Sequence, residues 1–288
     1  MKNRPMYWSV WRELWESRSI YLAPLIVTAV VLFATLISTI SLPRRMRNLP
    51  ADPAKRHVAI VKHFNMAPAP IMATTFLVAI FYSLDALYSE RRDRSILFWK
   101  SLPVSDLTTV LSKASIPFFV LPMIGLALVL TTQRILLFVS SWVLLTRGIN
   151  PAALWAEFRY PQEALVMIYG LTVHVLWFAP MYGWLMLLSA GVRRAPFLWA
   201  VLPPFALSAG ERIVFGSSYI SSLLKYRFMG AMAEAFAPYK PNSAGIIDRF
   251  DQLTPARFLT APGLWIGLAL AAIFLAAAVR LRRYREPI

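Results

Sequence analysis

Few side chains in this sequence are suited to covalent chemistry. Cysteine is absent, histidine occurs three times, and 14 acidic residues stand against 30 Lys and Arg. Without cysteine there is no disulfide, thiolate metal site or thiol nucleophile. His57 and His63 share a basic loop with no carboxylate cluster near them in the chain, which argues against a metal centre. His174 lies in an apolar run among Tyr169, Trp177 and Tyr182 and reads as a core histidine satisfied by a neighbour, with a proton relay as the alternative. No stretch has the form Gly-x4-Gly-Lys-Ser/Thr. The nearest glycine pair, Gly210 and Gly216, lacks the lysine, so the chain has no P-loop for ATP. No catalytic residue, cofactor site or metal site is expected within it.

The densest polar pattern is Ser89 to Ser105. Its first half is charged, with Glu90, Arg91, Arg92, Asp93 and Arg94. Its second half, after Ser95, is apolar and aromatic: Ile96, Leu97, Phe98 and Trp99, then Lys100, Leu102 and Pro103. The pattern predicts a short helix across the membrane axis, stopped by Pro103, with Ser105-Asp106 capping the next helix. Exposed Phe98 and Trp99 flanked by Arg and Lys are anchors of the kind a partner's groove receives. A second pattern is Trp8, Trp11 and Trp15 at i, i+3 and i+7 with Leu14 beside them, while Arg12, Glu13 and Glu16 take the other side. That spacing predicts an amphipathic helix over 5–18, its tryptophans at the headgroup level.

The elements that carry these residues follow from apolar length. Hydrophobic residues make up 58% of the 288, mean hydropathy is +0.56, and only 15% are charged, against about 25% in a soluble domain. Runs long enough to cross a roughly 30 Å hydrocarbon core are expected near 21–41, 68–88, from 107 or 115 onward, 164–190, 196–215 and 263–280. The first is a retained helix, because Pro43-Arg44-Arg45 follows it instead of a small-residue cleavage site. The third stays apolar to Leu145 but is interrupted by Gln133-Arg134. An arginine in mid-bilayer is costly, so a span ending near Thr132 and then an interfacial helix is favoured, with one long tilted helix projecting beyond the membrane as the alternative. Pro203-Pro204 is expected to break the fifth span, and residues 216–262 form a long loop with a helix near 218–237.

Polar residues within or beside the spans have two readings each. Arg134 is interfacial or a cation facing a pathway, and Glu211 with Arg212 is a helix-end charge pair or an outer mouth. Asp85 pairs with Arg91 or Arg92 or faces headgroups, and Lys113 snorkels to the same interface. The fold class is therefore an all-α integral membrane protein of about six spans, one domain over 1–288. Segments 1–20, 89–113, 191–196 and 280–288 hold fifteen Lys and Arg in sixty residues, whereas 42–67, 147–163 and 216–262 hold thirteen in ninety. Positive charge concentrates on the cytoplasmic side, which puts both termini there and the 216–262 loop outside. The formal charge of +16 then reads as basic ends facing anionic lipid, with no nucleic-acid partner.

Glu90-Arg91, Ser95-Ile96-Leu97, Ser101-Leu102-Pro103-Val104-Ser105 and then Lys113 resemble the signature between the second and third spans of ABC-2 type transporter permeases. The helix at 5–18 is similar to that family's N-terminal connecting helix. The resemblance covers the whole chain in layout, and only 85–113 is specific. It implies a bacterial inner-membrane permease subunit, an exporter, working as a dimer with a second copy or a paralogue. It implies that 89–105 is a coupling helix docking into a separate ATPase subunit, which would carry the ATP and Mg. The alternatives are a non-transporting membrane scaffold or sensor, and an intramembrane enzyme.

Overall fold

The computed structural model describes residues 5–96, 104–237 and 247–284. Six of its helical stretches are long and apolar enough to cross a membrane: Ser19–Thr39, Pro68–Arg92, Asp106–Leu145, Ala152–Gly191, Pro196–Phe215 and Pro262–Tyr284. The protein is a helical, multi-pass membrane protein. Among the described residues the only β pairing is an isolated bridge between Phe236 and Leu253.

The chain begins with α1 (Pro5–Glu16), which meets the first span, α2 (Ser19–Thr39), across a two-residue break. Two short helices follow, α3 (Leu42–Arg47) and α4 (Pro53–Phe64), the second started by Asp52, whose side chain accepts from the Ala54 amide at 2.9 Å. The second span is α5 (Pro68–Asp85), extended by α6 (Tyr88–Arg92). Ser105 caps α7 (Asp106–Ser115), accepting from the Thr108 amide at 3.1 Å, as its sequence position predicts. A π segment at Ile116–Val120 joins α7 to α8 (Leu121–Leu145). Then come α9 (Ala152–Glu157) and α10 (Tyr160–Gly191), which holds the fourth span. The rest is α11 (Pro196–Phe215), α12 (Tyr219–Ala235), a 3₁₀ turn at Phe250–Gln252, α13 (Pro255–Thr260) and α14 (Pro262–Tyr284).

Two sequence expectations change. The third span does not end near Thr132 but runs as one helical stretch from Asp106 to Leu145. At 1.5 Å per residue, Lys113 and Arg134 stand about 30 Å apart on it, the thickness of the hydrocarbon core. Neither cation is left unpaired in mid-bilayer: Glu13 and Glu90 neutralise Lys113, and Arg134 is exposed over the Tyr160 ring, so the helix has no need to stop. Beyond Arg134 it projects into a small extramembrane core, where Leu136, Leu137 and Leu144 pack with Leu42, Ile60, Phe64, Leu154 and Phe158. That core takes up one face of the surplus apolar length, while Phe138, Trp142 and Leu145 stay exposed on the other. Pro203-Pro204 likewise does not break α11. Pro204 frees the Ala200 carbonyl, and the Trp184 indole of α10 takes it at 3.5 Å.

The tightest helix pairing is α10 against α14. Gly183 faces the Ala271 backbone so closely that a Cβ there would sit 3.2 Å from the Ala271 carbonyl oxygen. Small residues at such contacts let membrane helices approach where no hydrophobic force draws them together. By contrast α11 has no buried residue, and its Phe205, Ile213 and Phe215 are exposed.

Candidate functional site

One end of the bundle gathers α1, α6, the start of α7, the end of α10 and the end of α14 around a buried set of charges. Glu13 of α1 and Lys113 of α7 are 2.9 Å apart, and both are almost completely buried. Lys113 also reaches Glu90 of α6 at 3.2 Å. The second oxygen of Glu90 meets Arg282 of α14 at 3.1 Å, and Arg282 in turn pairs with Asp106. Arg12 lies 2.7 Å from Glu13 and 3.6 Å from Glu90. The Tyr82 hydroxyl of α5 donates to Glu13 at 2.8 Å. Three acids and three bases from four helices thus balance in charge, as buried ions must.

Electrostatics favours keeping these groups ionised. Burial alone raises the Glu13 carboxyl, but Lys113, together with hydrogen bonds from Lys113, Arg12 and Tyr82, outweighs it and holds the group below its ordinary value. Breaking such a set by removing one member leaves an uncompensated buried charge, at about 3–5 kcal/mol. The arrangement thus clamps four helices to one another.

A second set of bonds fixes the segment that follows the second span. Arg91 is buried and donates to the carbonyls of Ala190 at 2.8 Å and Val192 at 3.2 Å, at the C-terminus of α10. The Ser189 hydroxyl accepts from the amides of Leu87 and Tyr88, both at 2.9 Å. Ile96 is buried, whereas Arg92 and Asp93 are exposed and pair with each other at 2.9 Å. Ser95 donates to the Glu90 carbonyl at 3.4 Å. A cleft of about 520 Å³ opens beside the network, with Glu16, Asp85, Arg92 and Asp93 in its wall. Leu97, Phe98, Trp99, Lys100, Leu102 and Pro103 lie outside the described residues.

The other residues singled out by sequence fall elsewhere. Trp8, Trp11 and Trp15 are exposed on α1, while Leu14 packs inward beside Ile20 and Tyr82. Asp85 is exposed. Lys113 does not snorkel to the surface: it is buried because Glu13 and Glu90 neutralise it. His174 accepts or donates one bond with the Tyr182 hydroxyl at 3.0 Å and edges the Phe76 ring. Arg134 is exposed and lies over the Tyr160 ring, 5.0 Å from its centroid. Glu211 accepts from the Ser217 hydroxyl and from the amides of Tyr219 and Ile220, so it caps the start of α12; Arg212 forms no ion pair with it. Sequence reasoning passed over Glu13 as a surface residue of α1 and Arg282 as one of several terminal arginines. The signal for Glu13 was its place on the polar side of a helix whose other side is tryptophan.

At the other end of the bundle, the expectation that His57 has no carboxylates near it is overturned. Its Nδ1 lies 2.9 Å from Glu157 and its Nε2 2.5 Å from Asp248. The ring thus ties α4 to α9 and to the segment before the 3₁₀ turn. His57 sits between the two acids, and among the described residues no group of three or more His, Cys, Asp or Glu is placed to hold a metal ion.

The geometry defines a membrane protein with a charge-clamped end. Compared with protein-family models, curated proteins and solved structures, the chain matches none of them.

Proposed function

We propose that this chain is the membrane-spanning subunit of an ATP-driven exporter of the ABC-2 type, moved by a separate ATPase. In this reading it sits in a bacterial inner membrane with both termini in the cytoplasm and works as a dimer with a second copy or a paralogous permease. ATP and Mg belong to the partner, and this chain is not itself an enzyme.

The observation that carries the reading is the buried charge network. A segment that receives a mechanical stroke must be held rigidly to the helices it moves. Glu90 and Asp106 flank residues 91–105, and both are tied to Arg282 of α14. Glu90 also contacts Lys113 of α7 and Arg12 of α1. A displacement of that segment would therefore pass at once to the N-terminal helix and to the third and sixth spans. The charged cleft beside it offers Arg92 and Asp93 to a partner. Arg91 holds the base of the segment on the end of α10, which adds the fourth span to the linkage. A static scaffold has no need for one segment bonded to so many spans.

Co-expression with an ABC-type ATPase subunit, sought next to the gene for this chain, tests the reading. Phe98→Asp or Trp99→Asp is expected to leave the membrane protein folded and to abolish co-purification of the ATPase. A substituted chain that still binds the ATPase and supports its substrate-stimulated hydrolysis in lipid would overturn the coupling role.

A further inference from the structure

The end of the bundle away from the charge network carries two adjoining cavities with different chemistry. One, of about 420 Å³, is polar and lies beneath the His57 bridge. The other, of about 590 Å³, is largely apolar and is walled by Leu137, Trp155, Tyr160 and Leu165. Both share Phe158, Arg159, Gln162 and Phe250, so the two cavities adjoin across these residues. Each has the size of a small-molecule pocket.

Inside the polar cavity, Glu157 and Asp248 are already engaged by His57. Glu163 is not. It is only 5% exposed, its side chain lines the cavity, and it has neither a hydrogen bond nor an ion pair among the described residues. Burying a carboxylate without a partner is costly; a proton by itself relieves that cost, and a bound cation relieves it when one is present. Arg159 lies at the junction of the two cavities, and Arg249 is exposed at the rim of the polar one. The order along the site is thus a carboxylate, then arginine, then an apolar groove.

We propose that this site binds a bilayer phospholipid with an amine in its headgroup. The ammonium meets Glu163, the phosphate meets Arg159 and Arg249, and one acyl chain lies along Trp155, Tyr160 and Leu165. Arginine suits the phosphate because its planar fork matches the phosphate oxygens. The apolar cavity lies beside α8 and α10, with Arg134, Leu137 and Leu165 in its wall. The site is independent of any ATPase, so it stands or falls apart from the transport reading.

Photolabelling in lipid nanodiscs of phosphatidylcholine tests it on the full chain alone. Three trace probes carry a diazirine in the chain: phosphatidylethanolamine, phosphatidylglycerol and a long-chain alkylamine. Phosphatidylethanolamine is expected to label the peptide spanning Trp155 to Leu165 at least about fivefold more than either of the others, which is roughly 1 kcal/mol of selectivity. Glu163→Gln is expected to lower its labelling to that of phosphatidylglycerol. Equal labelling by phosphatidylethanolamine and phosphatidylglycerol, or no labelling of that peptide, overturns the proposal. So does labelling that Glu163→Gln leaves unchanged. Labelling of the exposed face of α11 around Phe205 reports folding in every variant. Should Glu163→Gln fail that control, Leu165→Trp, which fills the groove from an exposed position, decides the matter. Loss of the selective label supports the site, and its retention overturns it.

Discussion

Glu13 and Lys113 are 100 residues apart in the chain and form a buried ion pair. No local spacing announces such a pair, because each residue alone reads as a surface charge on an amphipathic helix. His57 is the same case, with partners 100 and 191 residues away. What sequence does reveal is local: Ser105 as a cap, Trp8, Trp11 and Trp15 on one exposed face, and His174 as a core histidine with a hydroxyl neighbour. Lys113→Met alone removes the buried cation shared by Glu13 and Glu90, leaving Glu13 with Arg12 alone, and is expected to cost up to about 3–5 kcal/mol, read as a lowered unfolding temperature in detergent. Lys113→Met combined with Glu13→Gln removes both charges and is expected to cost less than the single change, a coupling that a double-mutant cycle measures. His63 of α4 supplies a pH dependence. Burial, then the nearby Arg45, pushes its pKa from 6.5 down to about 4. The unfolded chain binds a proton between those values and the folded one does not, so stability falls as pH drops from 6.5 toward 4. The loss is on the order of 3 kcal/mol. A His63→Gln variant is expected to show a flatter stability profile across that window.

At the scale of elements, the spans were legible because apolar length is a one-dimensional property. The misread elements were those whose surroundings supply what the local sequence lacks. Arg134 looked like a stop because a lone cation suggests the end of a span, yet Asp106–Leu145 is longer than a bilayer and simply continues past it. Pro203-Pro204 looked like a break because the sequence cannot show that Trp184 takes the carbonyl Pro204 frees. The contact between α10 and α14 was invisible for the opposite reason: a glycine among apolar residues carries no sign of its partner. Gly183→Leu is expected to force these helices apart and to cost about 1–3 kcal/mol or more, as overpacking does. Gly210→Leu on α11, where a side chain would meet nothing within 4 Å, is expected to leave the unfolding temperature unchanged. Equal effects of the two substitutions would mean that α10 and α14 do not pack through Gly183.

For the whole molecule, the even number of candidate spans brings α1 and the end of α14 to the same end of the bundle, where Arg12 and Arg282 both contact Glu90 or its partners. The segments containing His57, Glu157 and Asp248 meet at the other end through a single imidazole. The proposed function puts the first end in the cytoplasm, as charge density favours, although Arg44, Arg45 and Arg47 of α3 weigh against that orientation. The structure leaves that conflict in place: Leu42 and Pro43 of α3 are buried, but Arg44, Arg45 and Arg47 stay exposed. The absence of cysteine makes sidedness directly measurable, since any introduced thiol is the only one in the chain. Arg147 and Arg194 are exposed in the turns after the third and fourth spans, so they must lie on opposite sides of the membrane whichever way the protein is inserted. A membrane-impermeant maleimide applied to intact cells stripped of their outer membrane is expected to label Arg147→Cys and to spare Arg194→Cys until the membrane is permeabilised. The reverse pattern would invert the orientation while keeping the fold. Labelling of both from outside would remove the single intervening crossing, the fourth span, and with it the six-span arrangement.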